Sequence, residues 1–131
     1  MKFIFCVDKN NGLLFGWRRQ SQDSVLREKM LEYVGEARLL VSEYTAKQFD
    51  TGVVVDNDYL SLAEDDAYCF VEDGDYDLSV ADEVVLFLWN REYPADKFLE
   101  FEPKSMGFKR VQKTDFEGSS HKKITMEVYK R

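Results

Sequence analysis

Histidine occurs once in this chain, at position 121, and that scarcity excludes whole classes of chemistry. Dizinc hydrolases, His-triad metal sites and two-His zinc proteases all need more imidazole ligands than one residue supplies. A serine hydrolase would claim the same histidine as its base, yet no G-x-S-x-G is present. Ser119 and Ser120 adjoin His121 rather than facing it across a pocket, which predicts a loop of small polar residues and no acyl-transfer site. Glycine-rich phosphate cradles are missing too: there is neither a Walker motif nor a G-x-G-x-x-G. No stretch approaches the roughly 18 apolar residues of a membrane span, and MKFIFCV is too short for a signal segment with its flanks. Cysteine appears only as Cys6 and Cys69, each inside an apolar run, which predicts reduced core thiols and a cytoplasmic location. Basic charge is in deficit, at a net −7, which argues against nucleic-acid or anionic-membrane partners.

What is present is enough apolar material for one domain. With 44% hydrophobic and 15% aromatic residues over 131 positions, the chain can bury a substantial core without disulfides or a structural metal, so 1–131 reads as a single domain. Lys2 to Val7 is a continuous strand-forming run ended by Asp8 and the Asn10-Asn11-Gly12 turn signal, as expected of a strand buried on both faces. Ser24 is placed to cap a helix from about Ser24 to Val34, where Val25, Leu26, Met30, Tyr33, Val34 and Ala37 recur at helical spacing. A strand at Arg38 to Val41, a short helix at Thr45 to Phe49 and a strand at Gly52 to Val55 follow. Short helices are predicted at Tyr59 to Ala63 and Asp75 to Ala81, and strands at Tyr68 to Val71 and Val84 to Trp89. Asn90 to Phe101, which contains Pro94, reads as an irregular edge segment. Phe108 to Lys113 and Ile124 to Tyr129 form a closing antiparallel hairpin, the second with period-two alternation. Strands alternating with helices predict an α/β domain with a mostly parallel central sheet.

The window from Asp56 to Glu83 contains Asp56, Asp58, Glu64, Asp65, Asp66, Glu72, Asp73, Asp75, Asp77, Asp82 and Glu83, with no Lys or Arg. Asp73, Asp75 and Asp77 share the spacing that opens a calcium loop, but Leu78 replaces the required glycine and Val84 the bidentate glutamate. A solvated turn is the expectation, and no metal site is assigned. The stretch from Asp8 to Ser24, DKNNGLLFGWRRQSQDS, holds turn formers, arginines and aromatics ahead of the first helix, which makes it a candidate ligand loop. Arg18 and Arg19 suit an anionic ligand as planar forks, or else bridge to the acidic window. Asp23 has two readings. Burial by Phe15 and Trp17 would raise its pKa toward acid-base use, whereas a place at a helix N-terminus would lower it.

Taken in order, these pieces resemble dihydrofolate reductase: an apolar first strand, an Asn-Gly loop, an Asp entering the first helix, a Thr-containing short helix (SEYTAKQF) and the ending from TDFEGSSHKK to ITMEVYKR. The resemblance implies a three-layer fold with helices flanking a mostly parallel central sheet. It implies that Asn10 to Gln22 is a mobile loop closing over substrate, that Asp23 is the acid bonded to a pterin ring, that Thr45 stands beside the cofactor and that Gly118 to His121 packs against the loop. Trp17 stands near the family's loop tryptophan without its flanking prolines. The departures fall on the cofactor: Ser42-Glu43 stands where the family has Gly-Arg, and Glu72-Asp73-Gly74 where it has a Gly-Gly turn against a pyrophosphate. Carboxylates facing a pyrophosphate repel it. The Arg18-Arg19-Gln20-Ser21-x-Asp23 run also resembles small bacterial proteins given the name ribonuclease Z, which implies a dizinc site that one histidine cannot furnish.

Three functional readings follow. The first is a divergent reductase-like protein that binds a small planar heterocyclic or anionic ligand through Trp17, Arg18, Arg19, Gln20, Asp23, Thr45 and Ser120, without the usual NADPH site. The second is a non-catalytic interaction module using the acidic 56–83 face. The third is an active NADPH- or flavin-dependent oxidoreductase. They differ in whether a cleft opens beside Asp23.

Overall fold

The computed structural model describes residues 1–73 and 75–131. Its frame is a seven-stranded sheet built from β1 (Lys2–Val7), β4 (Leu39–Val41), β5 (Val54–Val55), β6 (Tyr68–Phe70), β7 (Glu83–Leu88), β9 (Lys109–Phe116) and β10 (Ile124–Lys130), in the order β5-β4-β6-β1-β7-β10-β9. β1 lies in the middle, parallel to both β6 and β7, as its unbroken apolar run requires. β10 runs antiparallel to β7 and β9. Residues on both faces of β10 are buried from Ile124 to Val128 although its sequence alternates: Ile124, Met126 and Val128 join the cluster under the first helix, while Thr125 bonds Asp115 and Glu127 is held by Arg110 and Tyr129. The outer strand β9 is exposed along nearly its whole length.

One face of this sheet is covered by α1 (Ser24–Val34), whose Leu26, Met30 and Val34 pack on Ile4, Val41, Phe70, Val85 and Phe87. Each such side chain contributes about 1.5–3 kcal/mol by leaving water. Asp23, not Ser24, caps this helix: its backbone is extended and its carboxylate accepts from the amides of Val25 and Leu26. The opposite face is closed by a second apolar cluster around Phe3, Phe5, Tyr59, Leu78 and Phe101.

The opening stretch is not a simple loop. It folds into β2 (Gly12–Phe15) and β3 (Arg18–Arg19), joined with β8 (Lys97–Phe98) in a separate three-stranded sheet. The two-residue turn between β2 and β3 has positive φ at Gly16 (57°) and Trp17 (65°), the geometry that matches hairpin twist. Leu13 and Leu14 anchor this hairpin in the core. The segment expected to be irregular thus supplies β8, because Asp96 and Leu99 bond back to the hairpin backbone. Asp8 ties the pieces together, accepting from the amides of Asn10, Gly12 and Tyr93 and from Gln20 Nε2.

Smaller corrections have local causes. α2 covers Glu43–Ala46 rather than starting at Thr45, because Ser42 caps it through the Thr45 amide. α3 is Tyr59–Leu62. Only Leu78–Val80 of the expected 75–81 helix is helical, a 3-10 turn capped by Asp77. No helix among the described residues is long and apolar enough to cross a membrane.

Candidate functional site

Two buried carboxylate centres lie at the root of the β2–β3 hairpin. The first is built on Asp23. Its Oδ1 accepts from the amides of Val25 (3.0 Å), Leu26 (3.1 Å) and Ser119 (3.0 Å). Its Oδ2 accepts from the Ser120 amide (2.9 Å), the Ser120 hydroxyl (3.2 Å) and lies 2.9 Å from His121 Nδ1. Burial alone would raise this carboxyl's pKa, but the donors from Ser120, His121, Ser119 and Leu26 outweigh it and hold the group well below its ordinary value. Asp23 is therefore an ionised anchor whose acceptor positions are filled by the protein itself. The approach depends on Gly118, where any Cβ would collide with the Asp23 carboxylate.

His121 continues the chain of contacts. Its Nε2 lies 3.0 Å from the Ser21 hydroxyl and 3.0 Å from the Tyr93 hydroxyl, and its ring stacks at 4.7 Å on Trp89. An ionised Asp23 favours the proton on Nδ1, leaving the Nε2 lone pair toward the two hydroxyls.

The second centre is Glu72. Arg19 grips both of its oxygens, with Nε at 2.9 Å from Oε2 and Nη2 at 3.1 Å from Oε1. Gln48 Nε2 adds a third donor at 3.0 Å. Arg19 also donates to the Tyr44 carbonyl and lies over the Tyr44 ring at 4.3 Å. Next to it the Ser42 hydroxyl donates to Asp73 at 3.0 Å, and the Asp73 carbonyl accepts from Tyr59. Both carboxylates of the Glu72-Asp73 turn are thus engaged internally.

Between the centres lies a cavity of about 10 Å³ lined by Cys6, Arg19, Gln20, Ser21, Glu72 and Trp89, the room of a single water. Gln20 Oε1 is the buried side-chain polar atom left without a partner there. Among the described residues the Asp23 side chain is fully buried, packed by the GSSH loop and His121. A larger concavity of about 230 Å³, near Asp8, Asn90 and Glu127, lies on the face opposite α1.

Of the residues singled out from sequence, the structure brings Asp23 and Ser120 into one centre and Arg19 and Gln20 to one cavity. Trp17 stands at the hairpin tip, 81% exposed, and Arg18 is exposed on β3. Thr45 is fully buried behind Ser42. Sequence reasoning missed Ser21, Tyr93 and the placement of His121. The available signal was the single histidine, inside the segment that the resemblance set against the opening stretch.

Among the described residues, no three His, Cys, Asp or Glu side chains converge as a metal site. No protein-family model matches this chain, and no curated protein does. Among solved structures, dihydrofolate reductase from Enterococcus faecalis, complexed with NADP(H) and RAB-propyl, superposes with a TM-score of 0.67 at 13% identity, covering 99% of this chain and 95% of that one. The chain has a dihydrofolate reductase-like fold. Within that fold the hairpin, α1 and the GSSH loop take up the positions described above, while Arg19 and Glu72 are paired across the end of β6.

Proposed function

We propose that this dihydrofolate reductase-like protein binds a small anionic ligand under the β2–β3 hairpin and does so without the usual NADPH site. The observation that carries the reading is Arg19: a bidentate, partly exposed guanidinium, held over Tyr44 at the edge of the cavity lined by Gln20 and Ser21. An anion arriving from solvent competes with Glu72 for that fork, and the planar geometry suits a carboxylate or phosphate. The same pairing speaks against NADPH, because Glu72 and Asp73 present carboxylates where a pyrophosphate would need amide donors.

The reading as an acidic interaction face has less behind it. Asp56 accepts from the Asp58 amide, Asp77 from the Ser79 amide and Asp82 from the N-terminal ammonium, Glu64 pairs with Arg38, and Glu83 is held by Tyr33 and Tyr68. Much of that charge is already spent within the fold. The test is thermal shift and calorimetry with NADPH, folate, inorganic phosphate and small mono- and dicarboxylates. We expect stabilisation by one of the small anions, its loss in Arg19→Gln, and none by NADPH. Stabilisation by NADPH, or silence across the whole panel, overturns the proposal.

A further inference from the structure

We infer that Ser21, His121 and Asp23 form a nucleophilic relay for the hydrolysis of small acyl esters. The contacts run in the order that such chemistry needs. Asp23 Oδ2 meets His121 Nδ1 at 2.9 Å, and His121 Nε2 meets Ser21 Oγ at 3.0 Å. The buried carboxylate fixes the ring tautomer, the ring accepts the serine proton, and the serine oxygen is released to attack. Ser120 and the Ser119 amide hold the carboxylate, while Trp89 fixes the plane of the imidazole. The absence of a serine-hydrolase sequence motif does not weigh against this, since such relays are defined by geometry rather than by chain order.

Ser21 sits just beyond β3, partly buried, on the wall of the one-water cavity that also holds Arg19 and Gln20, so a substrate carbonyl reaches Ser21 Oγ only once the Arg19 side chain has moved off Glu72. Tyr93, the second hydroxyl at 3.0 Å from Nε2, shares that one lone pair with Ser21, so Tyr93→Phe leaves it to Ser21 alone. In the first step the Ser21 Oγ–acyl bond forms, the ester C–O bond breaks, and the Ser21 proton passes through His121 to the leaving alkoxide. In the second, water attacks the acyl-serine, gives its proton to His121, and Ser21 recovers it as the acid departs. Ester and water become acid and alcohol, with no oxidant or metal. The seat of the substrate's anionic part rests on the proposal for Arg19, but the relay is read separately.

The experiment is labelling of the intact, folded chain with a small alkyl fluorophosphonate, followed by intact mass and peptide mapping. Addition of one phosphonyl group with loss of HF, mapped to Ser21, is the expected result. Labelling should fall at least tenfold in Asp23→Asn and vanish in Ser21→Ala, while Ser105→Ala, remote from the site, labels as the wild type. p-Nitrophenyl acetate should show a burst of one nitrophenolate per chain that Ser21→Ala abolishes. Circular dichroism checks that each variant is folded, and Ser21→Cys provides a second probe, since a relay-activated thiol alkylates faster than the same thiol in Ser21→Cys/Asp23→Asn. No label on folded wild type, label at another residue, or equal alkylation of the two cysteine variants overturns the relay. Any of these can occur while small anions still stabilise through Arg19, so the two proposals fail independently.

Discussion

Asp23 and Glu72 are both buried carboxylates at the root of one hairpin, but they are satisfied by opposite means. Asp23 is surrounded by neutral donors, mostly backbone amides from α1 and the GSSH loop, together with the imidazole of His121. Glu72 is held by a charged side chain, Arg19, from a two-residue edge strand. Amides of packed elements cannot leave without unfolding, whereas an arginine side chain can rotate away. The difference separates a fixed anchor, suited to orienting a histidine, from an exchangeable latch, suited to admitting an anion.

Removing the anchor should cost most. Asp23→Ala leaves the helix N-terminus, two loop amides and His121 without their partner, and chemical denaturation should show a loss of about 3–5 kcal/mol, since each buried donor left unpaired costs about 1–3 kcal/mol. A loss below about 1 kcal/mol, no more than an exposed cap is worth, would erase the distinction drawn between the two centres.

Acid should act through the same group. The folded pKa of Asp23 is lowered from the ordinary 3.8, so near that pH the unfolded chain binds the proton first. The stabilisation is fully present above the unfolded value and is lost as pH falls toward the lower folded one. Denaturation midpoints should decline below about pH 4 in the wild type and more shallowly in Asp23→Asn; parallel profiles would mean that another carboxylate governs acid unfolding. Asp8, lowered by donors from Gly12, Tyr93 and Asn10 against its burial, adds to the decline in both proteins.

Loosening the latch should cost less. In Glu72→Gln, Arg19 keeps the Tyr44 carbonyl and ring and some access to water, so about 1–2 kcal/mol is expected by thermal or urea unfolding. A cost equal to that of Asp23→Ala would make Glu72 an anchor too. The smallest effect is at the hairpin tip. Trp17 is exposed with a left-handed backbone, and Trp17→Gly should stabilise the isolated protein by up to about 1 kcal/mol. Destabilisation there would show that the indole packs on the hairpin in solution.

Much of the architecture was legible along the chain. Apolar runs marked β1, β6 and β7, and helical spacing marked α1 to its last residue, because burial imposes periodicity locally. The reductase-like ordering of these elements was legible as well, and the superposition bears it out. The hairpin was harder to see, since β2 and β3 are short and one turn residue is a tryptophan with positive φ, where Asn or Gly is the usual signal. Arg19 was read both as a ligand fork and as a bridge to the acidic window, and the pairing with Glu72 is the second of these.

The sequence by itself determined α1, the buried strands β1, β6 and β7, and the exclusion of histidine-rich metal chemistry, because these depend on residue type and near-neighbour spacing. Only the tertiary structure decided which polar groups meet. His121 stands about a hundred positions from both Ser21 and Asp23, and Glu72 lies 53 positions from Arg19. No local pattern encodes those distances; they arise when β6 and β10 add to a sheet whose order differs from that of the chain. The same crossing sets the GSSH loop against Asp23 and Arg19 against Glu72, and so brings Ser21, Asp23 and His121 together in a reductase-like frame.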